Sequence, residues 1–129
     1  MGVIERVEHS PGAGVVLEVR ISGNDGLPPV RVAAAEAFDV EVDYLPVSAH
    51  DPIRMTVTAE TDHGEQTVAC ADVGRVPLPG VASVAVHRVV LPPALADQDV
   101  TLRIELGSGG LTEACVRLAA HVTAAAAQN

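Results

Sequence analysis

The segment Ala37-Phe-Asp-Val-Glu-Val-Asp-Tyr44 decides the fold class of this chain. Its large apolar residues, Phe38, Val40, Val42 and Tyr44, stand at every second position, with an acidic residue between each pair. Successive side chains of a β-strand point to opposite faces of the sheet, so this spacing places the apolar residues on one face. The segment therefore predicts a half-buried strand, because a helix would repeat its apolar residues every three or four positions.

Seven other segments have the same extended character, and turn residues separate them. They are residues 15–22, 30–34, 53–60, 65–72, 81–91, 100–106 and 111–123. Hairpins are predicted at Gly23-Asn-Asp-Gly26, Asp62-His-Gly64 and Gly107-Ser-Gly-Gly110. Seven or eight short strands without a long helix indicate an all-β fold, an antiparallel immunoglobulin-like β-sandwich, with a barrel as the alternative.

Length and composition indicate one domain. The chain has 129 residues, of which 48% are hydrophobic, and this is enough for a substantial core. We expect a single domain over residues 1–129, with residues 1–12 and 124–129 as flexible ends. The residues that share the apolar face of each segment should form the core. They are Leu17, Val19, Phe38, Val40, Val42, Val57, Leu102, Ile104, Val116 and Leu118.

The charge of the chain excludes two classes of partner. Seventeen Asp and Glu against eight Lys and Arg give a formal net charge of −9, which opposes binding to nucleic acids and to anionic membrane surfaces. Residues 1–10 lack the basic and apolar regions of a signal peptide, and no apolar run is long enough to cross a membrane. We therefore expect a cytoplasmic protein without membrane insertion.

The two cysteines, Cys70 and Cys115, agree with a reducing compartment, since small secreted domains usually carry more. Alternation places Cys70 on the same face as Val68, whereas Cys115 lies opposite the apolar face of its segment. Because a disulfide needs a specific geometry, we expect two thiols, and a cross-sheet disulfide is the alternative.

An acidic row on the segment 37–44 has the residue types of a calcium site. However, residues two apart on a strand lie about 7 Å from each other, whereas calcium ligands converge on the ion at about 2.3–2.6 Å. We expect a solvated face instead, with some of its carboxylates paired to arginines. The row consists of Asp39, Glu41 and Asp43, and the candidate arginines are Arg20, Arg54 and Arg103.

Ser48, His50 and Asp51 have the residue types of a hydrolase triad. Such triads assemble from positions that are distant in sequence, and no nucleophile-elbow glycines flank Ser48, so ordinary turn chemistry is the better interpretation. The five histidines show no ligand spacing, and a metal site with His87 and His121 would require their strands to be neighbours. The sequence therefore predicts no catalytic residue, no metal site and no cofactor, and the chain is expected not to be an enzyme.

The order of several segments resembles a known family. In sequence order they are Val15–Ile21, Asn24–Gly26, Ala37–Tyr44, Ile53–Gly64, Leu91–Ala96 and Val100–Leu106. This order resembles the C-terminal carbohydrate-binding domain of Wzt-type ABC transporter ATPases, over about the middle four-fifths of the chain. The resemblance implies an immunoglobulin-like module that recognises an exported polysaccharide in the cytoplasm.

Two functions follow from these observations. The first is the non-catalytic binding module for a polysaccharide that the resemblance implies. The second is a protein-interaction or assembly module, for example a homodimer, that uses a sheet edge or a sheet face. With one Phe, one Tyr and no Trp, the chain has few rings that could stack on sugars, which favours the second function.

A ligand site is expected on an open sheet face or at the loops around residues 46–52 and 74–80, away from the acidic row. Connecting loops on a rigid scaffold are where binding residues concentrate, and these two loops contain polar side chains that can hydrogen-bond hydroxyl groups. Tyr44 ends the strand that leads into the first loop and has the only ring with a polar tip. The predicted binding residues are Tyr44, His50, Asp51 and Arg75.

Overall fold

A computed structural model describes residues 2–5, 7–10, 14–46, 52–73, 80–109 and 111–124 of the chain. These residues form nine strands and one short 3₁₀ helix, Pro93–Leu95. The strands are β1 (Glu8–Ser10), β2 (Val15–Ile21), β3 (Val30–Ala33), β4 (Ala37–Leu45), β5 (Arg54–Thr61), β6 (Gly64–Asp72), β7 (Ser83–Val90), β8 (Gln98–Ser108) and β9 (Leu111–Thr123).

The strands form two sheets that pack face to face. The larger sheet has the order β1-β9-β8-β5-β6, and β3 also pairs with β9; the smaller sheet has the order β2-β4-β7. All pairs are antiparallel except that of β3 with β9, which is parallel. The predicted all-β sandwich is confirmed. The eight predicted strands are all present, and β1 is added to them.

The core lies between the two sheets and consists mainly of Val, Ile and Leu. Its largest fully buried apolar residues are Ile21, Ile53, Met55, Leu91, Leu102, Ile104 and Leu106. Each comes from the apolar face of a strand or from a residue next to a strand end, which is why alternation in the sequence finds them. Nine of the ten predicted core residues are buried, and only the prediction for Leu17 is wrong.

Leu17 is 51% exposed because the alternation of β2 is interrupted. The register of β2 on β4 shifts between Val16 and Glu18, where a β-bulge inserts one extra residue. Val16 and Val19 therefore both point inward, although their spacing in sequence is odd. A pattern that assumes unbroken alternation assigns Leu17 to the wrong face.

The predicted hairpin at Gly23-Asn-Asp-Gly26 is also wrong. β2 and β3 belong to different sheets, so this turn crosses from one layer to the other. The Asn24 side chain fixes the crossing: its amide donates to the Arg31 carbonyl at 2.9 Å and its oxygen accepts from the Arg31 N–H at 2.8 Å. The two other predicted hairpins are confirmed, with Thr61 opposite Gly64 and Ser108 opposite Leu111.

Residues 1–12, which the sequence suggested as a flexible end, contribute several pairings. Glu8–Ser10 pairs with β9, and the N–H of Ile4 donates to the carbonyl of Val19 at 2.7 Å. Ile4 is buried in the core. No helix among the described residues is long and apolar enough to span a membrane.

Candidate functional site

The described residues that flank the two loops expected to hold a ligand meet at one end of the sandwich, called here the loop end and defined by Pro46, Ile53, Val73 and Gly80. Residues 46–53 lead from β4 in the smaller sheet to β5 in the larger one, and residues 73–80 lead back from β6 to β7. The N–H of Gly80 donates to the carbonyl of Pro46 at 2.8 Å. The N–H of Val73 donates to the carbonyl of Ile53, also at 2.8 Å. The two loops are therefore joined to each other at both of their ends.

Of the four predicted binding residues, Tyr44 is described, whereas His50, Asp51 and Arg75 lie outside the described residues. The segment containing Ser48 lies outside them as well. The hydrogen bonds at the loop ends bring together the described residues that flank the two predicted segments, which proximity in sequence alone does not require.

The Tyr44 ring lies inside the sandwich at the loop end, and the residue is 3% exposed. It is the last inward residue of β4 and lies opposite Ser83 on β7. Burial is the main cause that raises the pKa of the Tyr44 hydroxyl, and the carboxylate of Glu113 raises it further. The phenol therefore stays neutral up to a higher pH than that of an exposed tyrosine.

Glu113, on β9, is a buried carboxylate that the sequence pattern did not identify. Its residue exposure is 1%. The register of β8 on β9 pairs Leu106 with Ala114 but Gly107 with Thr112, so Glu113 is the extra residue of a bulge. Residues 113–116 are all buried, so β9 does not alternate at this point, and nothing in the sequence marks Glu113 as buried. Among the described residues it is the one buried acidic side chain.

Gly14 brings the beginning of β2 close to Glu113. The N–H of Gly14 donates to the carbonyl of Glu113 at 2.6 Å. A Cβ at position 14 would lie 2.5 Å from the carbonyl oxygen of Leu45 and 3.0 Å from a carboxylate oxygen of Glu113. Only glycine fits between these groups, so this residue fixes how closely β2 approaches β9 at the loop end.

A concave region of about 340 Å³ lies between β6 and the end of β7 that is opposite to the loop end. Both polar and apolar residues line it. It is lined by Ala35, Gln66, Thr67, Val68, Val90, Leu91, Pro92 and Pro93.

The acidic row of β4 faces outward and is paired with arginines. Arg20 on β2 donates to Glu41 at 2.9 Å and to Asp43 at 3.0 Å, and it also pairs with Glu18 at 2.8 Å. These carboxylates raise the pKa of the Arg20 guanidinium, so its charge is permanent. The expected pairing with Arg20 is confirmed, and the row is a structural network across the sheet.

The other two arginines considered for this row lie elsewhere. Arg54 pairs with Asp72, and Arg103 pairs with Glu65, both within the larger sheet. Asp39, the third member of the row, pairs instead with Arg88 on β7 at 3.3 Å. The local sequence pattern could not predict which arginine pairs with which carboxylate. The arginines come from strands whose neighbours are fixed only by the topology.

The histidines do not come together. His87 is on β7 and His121 is on β9, which belong to different sheets, so the neighbouring strands needed for a shared metal site are absent. Within the described ranges, no group of three or more His, Cys, Asp or Glu could hold a metal ion. The Nδ1 atom of His121 lies 2.8 Å from a carboxylate oxygen of Asp99.

Neither cysteine forms a disulfide. The prediction of two thiols is confirmed for the structure. Cys70 is exposed on β6 with its Sγ 3.5 Å from the Thr56 hydroxyl, whereas Cys115 on β9 is buried.

Comparison with known proteins confirms the fold. The structure is similar to a Niemann-Pick type C2 protein from the Japanese carpenter ant, with a TM-score of 0.76 and 11% identity over 92% of this chain and 99% of that one. It is also similar to the C-terminal domain of Wzt, with a TM-score of 0.63 and 15% identity over 95% of this chain and 81% of that one. No family model and no curated protein matches the sequence.

The similarity to the C-terminal domain of Wzt agrees with the resemblance found in the order of segments. At 11% and 15% identity, the two likenesses establish a shared β-sandwich fold and leave the ligand open.

Proposed function

We propose that this chain is a non-catalytic binding module that recognises a polysaccharide at the loop end of the sandwich. The observation that supports it most directly is the pair of inter-sheet loops, joined by the Gly80–Pro46 and Val73–Ile53 hydrogen bonds. Loops carried on a rigid scaffold are where binding residues concentrate, and these two loops begin and end at residues that are joined to each other.

The polar residues of this surface suit a ligand rich in hydroxyl groups. A sugar hydroxyl both donates and accepts hydrogen bonds, so its site needs acceptors as well as donors. Both kinds of group are supplied by His50, Asp51 and Arg75. In this proposal Tyr44 is a positioning residue, because its ring is buried at the end of β4 that leads into the first loop, opposite Ser83 at the beginning of β7.

The ligand class comes from the resemblance and from the similarity to the C-terminal domain of Wzt. The same relationship suggests a place in the cytoplasm, in polysaccharide export with an ABC transporter ATPase. The net charge of −9 makes an acidic polysaccharide an unfavourable ligand, because like charges repel each other. A neutral polysaccharide is therefore the ligand that we propose.

Glycan-array screening followed by titration calorimetry tests the proposal. His50→Ala and Arg75→Ala should each weaken the binding of an array-positive neutral glycan by about tenfold or more, the effect of losing one or two hydrogen bonds. His63→Ala is the matched control, because His63 is exposed in the hairpin at the opposite end of the sandwich. Tyr44→Phe keeps the ring and removes only its hydroxyl.

Loss of binding in the loop variants but not in His63→Ala would support the loop end as the site. Binding that survives both loop substitutions would place the glycan elsewhere and overturn the proposed site. If no glycan on the array binds, the glycan ligand is refuted and the second function is favoured, an assembly module that uses a sheet edge. One specific observation supports that function: the exposed apolar edge strand β7 described below.

A further inference from the structure

The smaller sheet has two outer edges, and they differ in how they are covered. On the β2 side, residues 3–4 run along the edge: Val3 pairs with Arg20, and the N–H of Ile4 donates to the Val19 carbonyl at 2.7 Å. On the β7 side, no strand pairs with the outer edge in the part of the chain that the structure describes. Half of the backbone polar groups of β7 therefore face away from β4 without a strand partner.

The outer strands of the larger sheet have features that block further pairing. The register of β6 on β5 shifts between Val57 and Thr58, so β6 contains a bulge, and exposed Glu65 and Asp72 lie near its two ends. At the other side of the sheet, β1 has three residues and β3 has four. Bulges, charges and short strands are the usual protection of sheet edges against association.

Apart from the exposed Arg88, β7 has none of these protections. Its eight residues pair with β4 without a register shift, and the strand contains no proline and no acidic residue. Three of the four outward residues of β7, Val84, Val86 and Val90, are 47–54% exposed. A long, regular and apolar edge strand is the kind of surface to which another strand adds.

We propose that β7 joins two copies of this chain, pairing antiparallel with β7 of a second copy so that the two smaller sheets form one continuous six-stranded sheet. The two-fold axis passes at Val86, which then lies opposite the partner's Val86. In this register, Val84 lies opposite the partner's Arg88. Isologous pairing of this kind is the commonest form of protein assembly.

Charge complementarity favours a second copy in this register. Asp43 is the β4 neighbour of Val84, so the partner's Arg88 comes to lie one strand away from the acidic row. The Arg88 side chain pairs with Asp39 of its own chain at 3.3 Å but is 73% exposed, so it can exchange this partner and reach across Val84 towards the acidic row of the second copy. The two-fold axis repeats this contact, which gives two attractive pairs on either side of the central valines.

The affinity of this contact should be modest. Eight paired residues span about 27 Å at ~3.4 Å per residue, so the contact buries less than the ~800 Å² per partner of a standard interface. Two copies with a net charge of −9 also repel each other. We therefore expect a dimer that depends on protein concentration and that salt strengthens by screening this repulsion.

Sedimentation velocity over a range of protein concentrations tests the association. The unchanged chain should shift from monomer to dimer, and Val86→Lys should remain monomeric because it places two like charges at the axis. Leu17→Lys is the matched control, since Leu17 is equally exposed on the outer face of the same sheet but lies on β2. This control should dimerise like the unchanged chain.

Oxidative cross-linking tests the register. In a Cys70→Ser background, Val86→Cys should form a covalent dimer, because directly opposed strand residues have Cα atoms about 4.5–5.5 Å apart, within disulfide range. Val90→Cys, equally exposed, should not cross-link, since its two copies would lie about 27 Å apart. A monomer at all concentrations, equal dimerisation of Val86→Lys, or equal cross-linking of Val90→Cys would each overturn the proposal.

Discussion

Tyr44 and Ser83 lie opposite each other on β4 and β7, where the smaller sheet reaches the loop end. They are the last inward residue of one strand and the first residue of its neighbour in the sheet. Burial raises the pKa of the Tyr44 hydroxyl most, and the buried carboxylate of Glu113, on the larger sheet, raises it further. Tyr44 and Glu113 are therefore polar groups in a core that is otherwise mostly apolar.

The Tyr44 hydroxyl should make folding sensitive to high pH. Its pKa is raised in the folded state by burial and by Glu113, whereas a tyrosine in the unfolded chain titrates near pH ~10. The unfolded state therefore loses its proton first, so the contribution of Tyr44 to stability is full below about pH 10 and falls as the pH rises above it. Spectrophotometric titration measures the ionisation of Tyr44 without overlap from other groups, because the chain has one tyrosine, no tryptophan and no lysine.

Tyr44→Phe is the control for this titration. It should change stability at neutral pH by no more than about 1 kcal/mol, because only a hydroxyl is removed, and it should unfold with a weaker dependence on pH above about 10. Urea unfolding curves at neutral and alkaline pH measure both effects. Equal alkaline sensitivity of the two proteins would contradict the assigned environment of Tyr44.

Arg20→Met should destabilise the protein by about 2 kcal/mol, between the values for exposed and buried ion pairs. Glu18, Glu41 and Asp43 would then repel one another across β2 and β4 without a cation between them. High salt should recover part of the loss by screening this repulsion. Arg88→Ala, which removes an exposed arginine of the same sheet face, should change stability by less than about 0.5 kcal/mol. Urea unfolding at two salt concentrations separates these outcomes.

Phe38→Ala should cost about 3–5 kcal/mol, since removal of a buried ring leaves a cavity. Phe38 is 7% exposed on the inner face of β4. Leu17→Ala is the informative comparison: the outward position created by the bulge predicts a loss of less than about 1 kcal/mol. Chemical denaturation of both variants measures the difference, and a large loss for Leu17→Ala would indicate that the bulge is misplaced.

The two thiols should differ in reactivity. Cys70 is exposed and should be alkylated in the native protein, whereas Cys115 is buried and should react only after unfolding. Mass spectrometry without reductant should therefore find one adduct on the native chain and two in denaturant. A failure to find two adducts in denaturant would indicate a disulfide.

Much of the fold could be predicted from local sequence because strands have a period of two. The alternation of β4 and β8 identified both the strands and their buried faces, and Asp62-His-Gly64 identified the turn of the β5–β6 hairpin. The errors lie where this period breaks. The bulges at Val16–Glu18 and at Glu113 each add one residue, which exchanges the inner and outer faces of the residues beside it.

The candidate binding residues stay a prediction, since His50, Asp51 and Arg75 lie outside the described residues. His50 and Arg75 are 25 positions apart, and the meeting of the segments that flank them depends on the topology of the two sheets. The buried carboxylate of Glu113 could not be predicted at all, since its position is a consequence of register.

The sequence by itself determined the fold class, the number of long strands and most of the core, because these depend on side-chain alternation and turn chemistry over a few residues. Only the tertiary structure decided which strands are neighbours. The turn at Gly23–Gly26 has the same local chemistry whether the chain returns in the same sheet or crosses to the other one. The chain takes the course that buries the apolar faces of both sheets against each other. This burial depends on residues far away in the sequence. The same long-range pairing joined the two loops and left the β7 edge uncovered in the described chain.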